Sequence, residues 1–271
     1  MRATGDADLS VVGRLLGEPA RARLLLALAD GRALPVSMLA MEAGVATSTA
    51  SGHLSRLLDG GLVTVTAHGR HRYYRLAGPQ VAELVEVTAR LAPAEPITSL
   101  RQGTRAHAIR RARRCYDHLA GRLGVLLTDA FLDRGFLSGH DGTVDVARIG
   151  GDRPAGGILD PAAYTLTAAG AAALRELGGE PPANPSVRCC VDWTEQRHHL
   201  AGATGRILLH QLEQHGWLRA GPHPRAVTVT PSGHRELATR FGIDSESLEA
   251  AEAKRLREWF SPWRPPTSAP S

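Results

Sequence analysis

Two distant segments of the sequence each combine cysteine, aspartate and histidine within a few residues. Thiolate and imidazole groups are ligands that zinc and similar ions accept in proteins. One hypothesis is therefore a soft-metal site shared by the two segments, although neither contains a CxxC or HxxxH pattern. Its candidate ligands are Cys115, His118, Cys190 and His199.

Three other hypotheses remain open for the same segments. An organic effector would suit the aromatic rings of Tyr116 and Trp193 together with nearby arginines. Thiol oxidation is a second alternative, in which Cys115 is the easier disulfide partner because a bond between adjacent cysteines is strained. The third is plain packing, since cysteine is among the most often buried residue types. The full set of effector candidates is Cys115, Tyr116, Asp117, His118, Cys189, Cys190, Asp192, Trp193, His198 and His199.

A rival from another class is an enzyme in which Cys115 is the nucleophile and His118 or His199 is its base. The sequence shows no nucleophile elbow, phosphate-binding loop or metallohydrolase motif. We therefore predict a protein that is not an enzyme.

The two segments belong to an internal repeat. Residues 118–137 (HLAGRLGVLLTDAFLDRGFL) and 199–218 (HLAGATGRILLHQLEQHGWL) align without a gap, with eight identities in 20 positions. A strand-turn-helix pattern follows each copy. The sequence thus predicts two helix-helix-strand-turn-helix units that resemble winged helices, at about 113–178 and 188–243. Two such units would pack about a pseudo-twofold axis and leave a cleft for an effector.

Composition limits the class of protein. The 271 residues are 43% hydrophobic and 22% charged, which excludes a wholly disordered, collagenous or disulfide-stapled chain. There is no apolar run of about 20 residues and no secretory signal pattern, so no membrane association is expected and the expected location is the cytoplasm. The net charge of +5 makes an anionic partner plausible. The arginine run at 110–114 suits either a solvated helix face or a phosphate-contacting surface.

The first 91 residues predict short helices followed by a β-hairpin. Apolar periodicity and Gly or Pro punctuation place helices at 9–16, 19–29, 36–43 and 79–91, and a further helix that Thr47 or Ser48 caps and that ends at 59. Two β-rich runs, 62–66 and 73–76, flank the turn His68-Gly69-Arg70. Helix, turn, capped helix and hairpin in this order make a winged helix-turn-helix. The predicted fold class is therefore mainly α with small β (α+β), with this unit followed by the duplicated C-terminal domain.

In that fold the second helix of the motif presents a slim polar turn to the major groove, and the hairpin tip contacts phosphates. The sequence has small polar residues at the start of this helix and cationic residues at the hairpin tip. The predicted DNA-binding residues are Thr47, Ser48, Thr49, Ser51, His53, Arg56, Arg70, His71 and Arg72.

The stretches PARARLLLALADG (19–31), VSMLAMEAGVATSTASGHLSRLLDGGLV (36–63) and GRHRYYRL (69–76) resemble the ArsR/SmtB family of bacterial repressors. The resemblance covers about a third of the chain and implies a homodimeric regulator of double-stranded DNA, released by a ligand. It also implies dimerisation through helices 9–16 and 79–91. The cysteine pair that many metal-sensing relatives have in the helix at 36–43 is absent, and the helix at 79–91 contains no histidine. Any sensing is therefore expected in the C-terminal region.

The sequence as a whole predicts a homodimeric repressor that binds an inverted-repeat operator and responds to a small-molecule effector or a soft metal ion such as zinc. The alternative to this function, besides the enzyme, is a winged-helix protein-interaction module. The predicted domains are 1–92 for DNA binding and dimerisation, 97–243 for effector sensing, and 244–271 for a last helix and a disordered tail.

Overall fold

A computed structural model describes residues 6–69, 71–92, 99–142 and 164–249. The buried apolar residues fall into two clusters, one in residues 6–92 (the N-terminal part) and one in residues 99–249 (the C-terminal part). The predicted linker at 92–96 and the predicted tail lie largely outside the described residues.

The N-terminal part consists of short helices and one small antiparallel sheet. The strand order in this sheet is β1-β3-β2, and the hairpin of β2 and β3 pairs Val63 with Leu76 at one end and His68 with His71 at the other. The elements are α1 (Leu9–Leu16), α2 (Pro19–Leu28), β1 (Leu34–Pro35), α3 (Val36–Ala43), α4 (Thr47–Asp59), β2 (Val63–His68), β3 (His71–Leu76) and α5 (Pro79–Leu91).

Local sequence explains where these helices begin and end. Pro19 begins α2, where its missing N–H costs nothing. Gly44 ends α3 with a φ of 68°, a left-handed conformation that glycine adopts without a Cβ penalty. The prediction of a Thr47 or Ser48 cap on α4 was wrong. Ala46 occupies the cap position with no side-chain cap hydrogen bond, and Thr47 is already helical.

A core of aliphatic side chains holds α2, α3, α4 and the hairpin together. Leu24, Leu28, Leu39, Leu54 and Leu57 are all fully buried in it. Burial of a leucine side chain stabilises a fold by about 1.5–3 kcal/mol, so these residues fix α4 on its two supporting helices. The opposite face of α4 is exposed in the part of the chain that the structure describes.

The C-terminal part opens with α6 (Leu100–Arg111) and then contains two stretches with the same order of elements. The first comprises β4 (Arg113–Cys115), β5 (His118–Ala120), α7 (Gly121–Asp133), β6 (Leu137–Gly139), β7 (Tyr164–Leu166) and α8 (Ala168–Glu176). After β8 (Ser186–Val187), the second comprises β9 (Cys189–Val191), β10 (His198–Leu200), α9 (Gly202–Gln214), β11 (Leu218–Ala220), β12 (Val227–Val229) and α10 (Pro231–Phe241), followed by α11 (Ser245–Glu249).

The expected helix-helix opening of each stretch was wrong. Each stretch begins instead with a two-stranded antiparallel hairpin, β4-β5 or β9-β10, and only then forms its long helix. The later strand-turn-helix pattern is present in both. Thr167 and Thr230 cap α8 and α10, each accepting a hydrogen bond from a glycine N–H three residues on.

Candidate functional site: the α4 face and a buried Cys/His cluster

The outer face of α4 is polar, small and exposed. Thr47, Ser48, Thr49 and Ser51 are exposed along its first turns, and Arg56 is exposed further along. His53 is half-buried, and its Nδ1 has no hydrogen-bond partner within the described residues. Short polar side chains at the start of a helix can approach base edges closely, which is what a major-groove contact needs.

The β2-β3 hairpin supplies a wing beside this helix. Arg72 is exposed on β3, and Gly69 at the tip has a φ of 58°. Arg70 and the side chain of His71 lie outside the described residues. An exposed arginine at this position suits contact with phosphate oxygens, which orient a protein on DNA without selecting its sequence.

The second candidate site is a buried cluster of two cysteines and two histidines in the C-terminal part. One ligand atom from each of Cys115, His118, Cys190 and His199 lies within 4.8 Å of all the others. Cys115 is opposite His118 in the β4-β5 hairpin, and His199 is opposite Cys190 in the β9-β10 hairpin. Residues directly opposite in an antiparallel pair share one face, so each hairpin presents one thiol and one imidazole to the other. The structure therefore brings together all four candidate metal ligands.

Two glycines allow the hairpins to approach each other. A Cβ on Gly124 in α7 would lie 3.4 Å from His199 Cβ, and one on Gly205 in α9 would lie 3.1 Å from His118 Cβ. Each would also lie within 3 Å of a carbonyl oxygen of its own hairpin's second strand. Glycine at these two positions leaves the rings of His118 and His199 with their centroids 5.2 Å apart.

Burial and neighbouring groups together shift the pKa values of the cluster's side chains. Desolvation lowers the pKa of His199 well below its usual value, so this imidazole is neutral. Burial also disfavours the charged form of His118, but the neighbouring Cys115 and the Asp117 carboxylate outweigh it and raise the pKa of His118 to about 9. The hydrogen bond with Cys190, together with desolvation, raises the pKa of the Cys115 thiol well above its usual value.

A carboxylate lies behind each histidine. Nδ1 of His118 is 3.1 Å from Asp117 Oδ1, and Nδ1 of His199 is 3.4 Å from Asp192 Oδ2. In the described structure, Nε2 of His118 and both ring nitrogens of His199 lack a hydrogen-bond partner of normal geometry. A buried ring nitrogen without a partner costs free energy, so these atoms are unusual in a folded protein.

Asp192, beside His199, is fully buried and accepts several hydrogen bonds. Its Oδ2 accepts hydrogen bonds from Arg113 Nη2 at 3.0 Å and from the backbone N–H of Gly121 at 2.6 Å. Its Oδ1 accepts from the Thr194 hydroxyl at 2.6 Å and from two backbone N–H groups. Burial alone would raise the pKa of Asp192, but the charge of Arg113 and the hydrogen bonds from Thr194 and Gly121 hold it well below its usual value.

The other effector candidates lie elsewhere. Tyr116 points to the N-terminal part, where it packs on the core and its N–H donates to Ala29 O at 2.7 Å. Cys189 is buried in the C-terminal core, on the opposite face of β9 from Cys190. Trp193 lies under the guanidinium of Arg113, 4.8 Å from ring centroid to Cζ, and His198 is hydrogen-bonded to the Tyr164 hydroxyl at 2.7 Å.

Sequence analysis missed a buried ionic network between the two parts. Arg113 is fully buried and reaches both Asp192 and, at 3.6 Å, Glu86 Oε2 in α5. Arg225 pairs with the same Glu86, and its backbone N–H donates to Asp30 Oδ2 at 3.2 Å. Both interpretations of the arginine run were therefore wrong for Arg113. Glu86 lies four residues after the buried Ala82, so helical spacing was a signal that its side chain faces inward.

A small cavity lies where α7 and α9 pack on the second strands of the two hairpins. It has a volume of about 10 Å³, room for roughly one water molecule. Its lining residues form three pairs that occupy equivalent places in the repeat alignment, namely Leu119 with Leu200, Gly124 with Gly205, and Leu127 with Leu208. Drug-sized ligands need pockets of about 300 Å³ or more, so this cavity does not hold an organic effector.

Comparisons with known proteins agree with the geometry of α4 and the hairpin. A family model described as a helix-turn-helix domain matches residues 16–66. The chain is 36% identical over 231 residues to the HTH-type transcriptional regulator YdfF of Bacillus subtilis, covering 83% of this chain and 93% of that protein. The chain belongs to the ArsR/SmtB-type HTH transcriptional regulators. It is a longer member with a C-terminal extension.

Shorter relatives match about a third of this regulator. The HTH-type transcriptional regulator CmtR of Mycobacterium tuberculosis is 38% identical over 100 residues, which are 35% of this chain and 84% of that protein. One similar solved structure is the solution structure of a homodimeric winged helix-turn-helix DNA-binding domain from Mycobacterium bovis, which is 32% identical in sequence and has a TM-score of 0.29. The match covers 33% of this chain and 89% of the Mycobacterium bovis chain. Among the described helices of the regulator, none has the length and apolar content needed to cross a membrane.

Proposed function

We propose that this regulator is a ligand-responsive repressor that binds an inverted-repeat operator as a homodimer. The observation on which this rests is the buried network from Asp192 through Arg113 to Glu86, because it joins the Cys/His cluster to the helix that follows the wing. A signal received in the C-terminal part thereby has a physical route to the DNA-binding part. Binding to chromosomal DNA would place the protein in the cytoplasm.

The α4 face would contact bases, and the wing would contact phosphates. Thr49 and Ser51, which are exposed, are positioned for base contacts together with Thr47, Ser48 and His53. Arg72, with Arg70, His71 and Arg56, would neutralise phosphates, so its contribution is independent of base sequence. This division distinguishes two kinds of variant by experiment.

A second copy of the chain would cover α1. None of the eight residues of α1 is buried within the chain, even though several of them are apolar. Leu9, for example, is 78% exposed. At the end of α5, Leu91 is 83% exposed. Exposed apolar residues on both helices support a symmetric interface, and a twofold protein needs a twofold operator.

The C-terminal part would be the sensor. Its two stretches have the same order of elements, with long helices of 13 residues each, which supports a duplicated unit at 113–178 and 188–243. Reciprocal contacts of Gly124 with His199 and of Gly205 with His118 support a pseudo-twofold relation between the copies. On this basis we divide the chain into a DNA-binding domain, 1–92, and a sensory domain, 97–243, with 244–271 as an appendage.

Fluorescence anisotropy with a duplex selected in vitro by the full chain tests the DNA-binding assignment. Arg72→Ala should weaken binding to selected and random duplexes alike and lower the salt dependence by about one phosphate contact. Thr49→Ala should instead change the preference among sequences. The matched control is Arg219→Ala, which removes an exposed arginine of β11. Equal affinities of wild type and Arg72→Ala would contradict the assignment of the wing.

A further inference from the structure

We propose that Cys115, His118, Cys190 and His199 form a four-ligand site for one zinc-class divalent ion, and that this ion is the effector of the repressor. The site itself depends only on the C-terminal geometry, while its role as effector rests on the proposed function. Two hairpins provide the ligands, one cysteine and one histidine each.

The arrangement of the four groups suits tetrahedral coordination. Bond lengths of about 2.3 Å to sulfur and about 2.0–2.1 Å to nitrogen put the ligand atoms of a tetrahedral ion about 3.3–3.8 Å apart. The four ligand atoms here all lie within 4.8 Å of one another, so side-chain adjustments of about 1 Å close the site. Two thiolates and two imidazoles are a set that zinc and neighbouring soft ions accept, and one that magnesium and calcium disfavour.

The histidines are oriented as metal ligands usually are. Each has its Nδ1 beside a carboxylate, Asp117 for His118 and Asp192 for His199. With Nδ1 held beside a carboxylate, Nε2 of each ring is the nitrogen that would bind the ion, as in carboxylate–histidine–zinc arrangements. An ion would give a partner to Nε2 of both rings, neither of which has one in the described structure and which packing alone leaves unexplained.

The same geometry disfavours a catalytic role for Cys115. Its side chain is 3% exposed, so a substrate could not reach the sulfur from solvent without displacing the residues packed around it. Four protein ligands also leave no open coordination position, which is the pattern of closed sites rather than of catalytic ones.

Ion binding would reach the DNA-binding part by two short routes. The turn between Cys115 and His118 contains Tyr116, whose N–H donates to Ala29 at the end of α2. From His199, contacts run through Asp192 and Arg113 to Glu86 in α5. Fixing the hairpins around an ion would therefore change the positions available to α2, which packs on α4, and to α5, which belongs to the proposed dimer interface.

Zinc binding to the reduced full chain, measured by elemental analysis and by competition with a chromogenic chelator, tests the site. We expect about one zinc per chain and, with cobalt in its place, the visible bands of tetrahedral thiolate coordination. Cys190→Ser should weaken binding by more than about 100-fold, since loss of a ligand exceeds the 10–100-fold effect of losing an outer-shell partner. Cys189→Ser is the matched control, because the neighbouring thiol points into the core.

Cys189→Ser and Cys190→Ser should have opposite effects on two quantities, the unfolding temperature and the zinc affinity. Cys189→Ser, in the core, should lower the unfolding temperature without changing zinc affinity, whereas Cys190→Ser, half-buried, should change zinc affinity more than it changes metal-free stability. Equal zinc affinity in both variants, or zinc far below one per chain, would overturn the site. Selective formation of a Cys115–Cys190 disulfide in place of zinc binding would overturn it too.

DNA affinity distinguishes failure of this inference from failure of the proposed function. Zinc-loaded and chelator-treated protein should differ in affinity for the selected duplex by about 5- to 150-fold, the usual size of such coupling, and Cys190→Ser should abolish the difference. Zinc binding without any change in DNA affinity would overturn the effector role alone. Absence of specific DNA binding in both forms would instead refute the repressor.

Discussion

Replacing Asp192 with asparagine should strongly destabilise the C-terminal part. The carboxylate and the Arg113 guanidinium are both fully buried, and they pair at 3.0 Å. Asparagine can keep the hydrogen bonds from Thr194 and Glu195, but its amide then faces the Gly121 N–H and Arg113, so donors meet donors. Glu86 at 3.6 Å already pairs with Arg225 and compensates only partly. Removing one partner of a buried ion pair costs about 3–5 kcal/mol.

Urea unfolding followed by tryptophan fluorescence measures this loss, because all four tryptophans of the sequence lie beyond residue 190. With a slope of about 2 kcal/mol per molar urea, the midpoint should fall by roughly 2 M. The matched control is Glu236→Gln, which breaks an exposed ion pair with Arg240 and should cost about 0.3–0.5 kcal/mol. A loss below about 1 kcal/mol for Asp192→Asn would refute the assignment of a buried, mutually dependent pair.

Two further predictions concern the N-terminal part. Gly52→Ala should raise the free energy of unfolding by about 0.5–1 kcal/mol, because this glycine is helical with nothing within 4 Å of an added Cβ. Gly44→Ala has equal space but a φ of 68°, so it should lower the free energy of unfolding by about 1–2 kcal/mol. If urea unfolding followed by circular dichroism shows that Gly52→Ala and Gly44→Ala change this free energy in the same direction, the backbone geometry given for α3 and α4 is contradicted. Leu9→Asp should shift the full chain toward monomer in sedimentation equilibrium while Met41→Asp, also exposed and apolar, should not. An unchanged dimer in Leu9→Asp would exclude α1 from the interface.

The N-terminal helices could be predicted because local residues determine where they begin and end. Glycine and proline punctuation gave α1, α3 and α5 with the bounds that the structure has. The cap of α4 was wrongly predicted because Ser and Thr are favoured caps, whereas this helix begins without a side-chain cap.

The grouping of the four Cys and His residues could also be predicted, because the repeat alignment sets His118 against His199. The hairpins that present them could not, since three-residue strands are too short to show a clear alternation. The burial of Arg113 escaped prediction for another reason. Its partners Glu86 and Asp192 lie far away in the sequence, and only the packing of the two parts brings them together.

A nuclease footprint of the full chain on its in vitro selected duplex tests most directly whether this regulator is a homodimeric operator-binding protein. The proposed function predicts two protected half-sites related as an inverted repeat. Their centres should be about 34–36 Å apart, or a multiple of this distance, so that two α4 helices occupy successive major grooves on one side of the DNA. Protection of a single half-site, or no protection at protein concentrations that saturate nonspecific binding, would contradict it.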